Sequence, residues 1–175
     1  MNLFLWGALP YIAFTFLIVG TLVRFFYFER NWTTKSSEFL EKKQLRIANP
    51  LFHFGLLCVI GGHVVGVLIP KTWTAAIGIN DHLYHEGALY MGAVAGIIFI
   101  VGFLLLMKRR FTVPAMKVNT SGLDKWLYLF LTLAIFSGMA GTLLNASGFF
   151  DYRVSSGPWF RSVLAFMPDP SLMEG

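Results

Sequence analysis

Cysteine is almost missing from this chain. Cys58 is alone among 175 residues, which excludes an intrachain disulfide and a thiolate cluster built from this chain. Charge is scarce as well: Asp, Glu, Lys and Arg make up 13% of the residues, against 56% apolar. The mean hydropathy is +0.64. An ordinary soluble domain is not so hydrophobic, so several apolar runs are expected in lipid. No nucleic-acid motif is present. The basic residues behind the net charge of +5 gather at the ends of apolar runs, which suits membrane orientation rather than phosphate binding. No basic residue precedes the first run and no small-residue cleavage pattern follows it, so it reads as a retained helix and not as a removed signal peptide.

What is present is a set of four apolar runs. They predict an all-α integral membrane bundle with transmembrane helices at about 3–26, 49–69, 85–107 and 124–146. The chain reads as one membrane domain over 1–175, with a mostly irregular extracytoplasmic tail over 147–175 broken by Pro158, Pro168 and Pro170. Pro10 would kink the first span or mark its start. Pro50 suits the first turn of the second, and Pro70 ends it. Between spans one and two, Thr33-Thr34-Lys35-Ser36 is a candidate cap for a short surface helix over Ser37 to Lys43. That connector is either solvated or a docking surface for a cytoplasmic partner.

The second span, NPLFHFGLLCVIGGHVVGVLIP from Asn49 to Pro70, has no Asp, Glu, Lys or Arg but carries His53 and His63. Ten residues of helix separate the two by ~15 Å along the axis and leave them ~80° short of a whole number of turns apart. They therefore share one broad side at two depths. Ionisable groups inside a span are costly and mark functional sites. Each imidazole can be structural, hydrogen-bonding across helices. The pair, set among glycines and phenylalanines, points instead to two stacked metal-cofactor sites, most simply two b-type haems with His53 and His63 as axial iron ligands. Gly62 and Gly66 give clearance for a porphyrin face or close helix packing. A low-spin haem takes a second axial ligand, and Met91, Met107 and Met139 are only soft candidates.

His82 and His85 flank the outer end of span three in the stretch DHLYHE. This is either an interfacial loop or a quinol pocket in which histidine and carboxylate bind the quinol oxygens and take up the released protons. As a metal site it lacks a clear third ligand. Basic residues are numerous in the connectors after spans one and three, whereas Lys71 is alone between spans two and three. The positive-inside bias then puts both termini outside, His53 near the cytoplasmic end of its span and His63 near the outer end.

The stretches NPLFHFGLL, GGHVVGVLIPK, LLLMKRR and FDYRVSSGPWFRSVLAFMPDPSLM resemble the gamma subunit of respiratory nitrate reductase, over essentially the whole chain. The resemblance implies a quinol-oxidising cytochrome b subunit of a quinol:nitrate oxidoreductase complex in the bacterial cell membrane, with its N-terminus outside. It further implies five helices and two haems b, with electrons passing from menaquinol or ubiquinol by the outer and then the inner haem to an iron–sulfur beta subunit and a molybdenum alpha subunit. By resemblance His53 matches a ligand of the inner haem and His63 one of the outer haem. The family's second ligands come from a fifth helix, and this chain reads as shortened before it. Where some members place a quinol-pocket lysine, the neighbourhood here is His82-Leu83-Tyr84-His85, which passes that role to histidine or tyrosine. The alternative is a structural membrane anchor without haem. A transporter fragment has little support, because spans one, three and four carry no central charge.

Overall fold

The structure, a computed structural model, describes residues 2–27, 39–149 and 151–173. No strand occurs among them. A π-helical turn, Leu3–Ala8, runs into α1 (Leu9–Tyr27). Helix α2 (Leu45–His63) continues as a π-helical turn, Val64–Leu68. Then come α3 (Lys71–Ala76), α4 (Asp81–Thr112), α5 (Pro114–Val118), α6 (Gly122–Ala146), α7 (Ser156–Leu164) and a 3₁₀ turn, Pro170–Met173. Four stretches are long and apolar enough to cross a membrane: Leu3–Tyr27, Leu45–Leu68, Asp81–Thr112 and Gly122–Ala146. The anticipated spans are thus all present. The chain forms two compact units, one of residues 1–36 and 152–175 and one of residues 37–151.

In the first unit the tail is tied to the start of α1. Pro10 has no N–H and cannot donate to the Trp6 carbonyl as an α-helical residue would. The Trp159 indole Nε1–H donates to that carbonyl instead, at 2.8 Å. The two indoles meet edge to face with centroids 5.5 Å apart. In return, Tyr11 Oη donates to the Val163 carbonyl at 2.9 Å. Helix α7 closes on Phe166, a non-glycine residue at φ 59°. Its N–H bonds the Val163 carbonyl, and the next N–H, of Met167, bonds the Ser162 carbonyl. This is the Schellman geometry that normally selects glycine. The Phe166 ring stacks on Tyr11 at 5.8 Å, which favours phenylalanine at the strained position.

In the second unit α2 and α4 run antiparallel in close contact. A Cβ on Gly55 would lie 2.5 Å from Phe99 N and 2.6 Å from Phe99 Cα. A Cβ on Gly102 would strike the backbone of Phe52 and Leu51. Only glycine allows backbones this close. The Phe52 ring packs between Phe99 and Phe103, at 5.1 and 6.5 Å. At the far ends, Lys71 Nζ donates to Asp151 Oδ2 at 3.2 Å and lies 3.6 Å from Asp81. Arg110 pairs with Asp124 at 2.7 Å, and Ser121 and Asp124 form the capping box that starts α6.

The helices extend past their apolar cores. Helix α2 begins at Leu45, so Pro50 is its sixth residue and not part of its first turn. The reason is Glu41, whose Oε1 accepts the Gln44 N–H at 2.7 Å and supplies the helix start from a preceding carboxylate. Residues 39–43 are accordingly not helical, against the surface helix expected over Ser37 to Lys43. Ser37 and the proposed cap Thr33-Thr34-Lys35-Ser36 lie outside the described residues. Helix α4 starts at Asp81, because the Asn80 side chain caps it through the Leu83 N–H at 2.7 Å.

Candidate functional site

His53 and His63 both lie within the α-helical part of α2, exposed on its surface. The regular rise over this stretch keeps them ~15 Å apart. Each ring is held in the same way. His53 Nδ1 is 2.9 Å from the Asn49 carbonyl, and His63 Nδ1 is 2.7 Å from the Val59 carbonyl. A carbonyl can only accept, so each Nδ1 is the donating nitrogen, and the neutral form of such a ring has its lone pair on Nε2. Among the described residues neither Nε2 has a hydrogen-bond partner. An imidazole tied through Nδ1–H to backbone oxygen is oriented and made more basic for a metal at Nε2. The Phe52 ring, which packs on Phe99 and Phe103 of α4, meets His53 edge on at 5.2 Å.

The glycines divide into two kinds. Gly55 and Gly102 make the helix contact described above. A Cβ at Gly61 or Gly62, beside His63, would meet nothing within 4 Å. Close helix packing is therefore not the role of Gly62 among the described residues. Gly66 is buried within the π turn that follows His63. Such turns recur at functional sites. Met139 Sδ lies 3.4 Å from where a Gly96 Cβ would be, so this methionine fills the space between α6 and α4.

His82, Tyr84 and His85 stand on the first turns of α4, not in a loop. Capping by Asn80 and the lack of Gly or Pro before Gly87 carry the helix through them. His82 Nε2 lies 3.6 Å from Glu86 Oε1, one turn on, and both are exposed. His85 and Tyr84 are half-buried. No hydrogen bond or ring contact joins His82 or His85 to His63 among the described residues. No group of three or more His, Cys, Asp or Glu gathers as a metal site there.

The family model for the nitrate reductase gamma subunit matches residues 2–175. The nitrate reductase gamma chain of Bacillus subtilis is 46% identical over 171 residues, which cover 97% of this chain and 77% of that one. This chain belongs to the nitrate reductase gamma subunit family. The nitrate reductase-like protein NarX of Mycobacterium tuberculosis is 40% identical over 171 residues, 96% of this chain but 26% of its own length. The respiratory nitrate reductase 1 gamma chain of Escherichia coli is 31% identical over 143 residues, 82% of this chain and 62% of that one. This gamma subunit is thus a component of a multi-subunit oxidoreductase, with helices suited to a membrane.

One contact of the gamma subunit was not legible beforehand. Arg109, at the end of α4, is buried. Its Nε donates to Glu41 Oε2 at 2.8 Å and its Nη2 to the Glu41 carbonyl at 2.6 Å. The Gln44 N–H, and then the Arg109 guanidinium, hold the Glu41 carboxyl below its ordinary range. The start of α2 is thereby fixed to the end of α4.

Proposed function

We propose that this chain is the membrane-anchoring, di-haem cytochrome b subunit that takes electrons from quinol for nitrate reduction. The observation that carries the proposal is the matched pair of imidazoles. Each gives Nδ1–H to its own helix and leaves Nε2 without a partner among the described residues, at two depths of one span. The donor set suits haem: two imidazoles tied through Nδ1, with glycines beside His63 that present no side chain to a flat macrocycle. His53 Nε2 would hold the inner haem iron and His63 Nε2 the outer one, with Gly62 and Gly66 beside the latter. Bound there, haem b supplies a one-electron centre whose potential the axial ligands tune.

At the outer end His82, Tyr84 and His85 would receive menaquinol or ubiquinol. His82 and Glu86 form a pair able to accept protons as the quinol is oxidised. The cytoplasmic end would face an iron–sulfur beta subunit and, through it, a molybdenum alpha subunit. The location would be the bacterial cell membrane, and the charge asymmetry of the connectors supports an N-terminus outside.

The test uses membranes carrying the assembled complex. Replacing His63 by Ala should abolish quinol-driven nitrate reduction while nitrate reduction from a dye that bypasses this subunit persists. Quinol-driven turnover that survives loss of both His53 and His63 would make the chain a structural anchor only.

A further inference from the structure

We propose that Gly102 is a positioning residue for His53 and not for His63, a role that rests on His53 being an iron ligand. The backbone of Leu51 and Phe52, immediately before His53, lies directly on Gly102. The obstacle to a side chain there is backbone, which cannot rotate away as the end of a flexible side chain can. One turn farther along α2, Gly55 lies as closely on the backbone of Phe99. His53 sits between these two contact points.

Sliding is also blocked. The start of α2 is held by Glu41, which is held by Arg109 on α4. A Cβ at position 102 therefore pushes α2 sideways at the level of His53, because α2 cannot relieve the clash by moving along its axis. The Phe52 ring, packed on Phe99 and edge on to His53, moves with it. His63 is ten residues away, and the adjacent Gly61 and Gly62 have nothing within 4 Å of a built Cβ. Among the described residues, Gly61 and Gly62 beside His63 make no backbone contact like the one at Gly102.

The experiment is a redox titration of b-type absorbance, with low-spin haem resonances recorded in parallel, on the assembled membrane complex. His53→Ala and His63→Ala first define which component belongs to which ligand. Gly102→Ala should then shift or remove the His53 component and leave the His63 component in place. Gly141→Ala, on α6 and open within 4 Å, should move neither. If Gly102→Ala lowers the amount of chain in the membrane, Phe99→Leu keeps the backbone contact, removes one ring and should still shift the His53 component alone. Unchanged components in both variants, or equal changes in both components, overturn the positioning role. If neither histidine variant removes a component, the ligand reading itself fails, and the positioning role with it.

Discussion

Glu41 and Arg109 are joined twice, through Arg109 Nε to the Glu41 carboxylate at 2.8 Å and through Nη2 to the Glu41 carbonyl at 2.6 Å. The other carboxylate oxygen takes the Gln44 N–H at the start of α2. One carboxylate thus serves as helix start and as ion-pair partner. The Gln44 N–H, followed by Arg109, lowers the Glu41 pKa from its ordinary 4.5. A lowered carboxyl pKa contributes stability that is present above the ordinary value and is lost as pH falls through the folded value. Thermal unfolding of the detergent-solubilised protein should therefore lose stability on acidification below about 4.5. Glu41→Gln should remove part of that pH dependence. An identical acid profile for wild type and Glu41→Gln would contradict the assignment.

A second prediction concerns the tail. Trp159→Phe keeps a ring against Trp6 but loses the hydrogen bond to the Trp6 carbonyl. It should destabilise the first unit by about 1 kcal/mol, the usual net value of such a bond. Limited proteolysis of the tail is a direct readout. Cleavage should quicken in Trp159→Phe and more so in Trp159→Ala. No change in either would mean that the tail is held by something else.

A third follows from the φ of 59° at Phe166. Left-handed backbone costs a side-chain-bearing residue about 1–2 kcal/mol, a cost glycine escapes. Phe166→Ala keeps that cost and loses the stacking on Tyr11, so it should be clearly destabilising. Phe166→Gly loses the same stacking but relieves the backbone, and should be about 1 kcal/mol more stable than the alanine variant. Equal melting temperatures for the two variants would refute this account of the turn.

At the outer end of α4 the proposed proton acceptors can be tested apart from haem content. His82→Ala and Glu86→Gln should slow quinol oxidation, by about 10²-fold if either acts as a general base. The b-type absorbance should stay at its full height. Normal quinol rates in both variants would move the quinol pocket elsewhere.

Much of this was legible in the sequence because lipid imposes length and hydropathy on a span. Each of the four runs, read from apolar content, became a helix. The ends were not legible, because polar caps set them. Asn80 and Glu41 carry α4 and α2 several residues past their apolar cores, and that turns DHLYHE from a candidate loop into the first turns of a helix. The histidines stood out as ionisable groups within a span. Their Nδ1 bonds add what spacing cannot give, the identity of the free nitrogen. Among the many glycines, nothing in the one-dimensional pattern distinguishes Gly55 and Gly102, which touch backbone, from Gly62, which does not. That distinction depends on which face meets α4. Arg109 read as one of a basic cluster ending span three, yet it is buried on a partner 68 residues away. The Trp6–Trp159 bond had a trace in Pro10, whose missing N–H frees the carbonyl that Trp159 takes up.

The most direct test of the account is a reduced-minus-oxidised absorbance spectrum of the assembled complex, compared with His53→Ala and His63→Ala. Wild type should show b-type bands made of two components, with each substitution removing a different one. Bands that persist intact in both variants, or no b-type bands in the wild-type complex, would contradict the assignment of the two imidazoles as iron ligands.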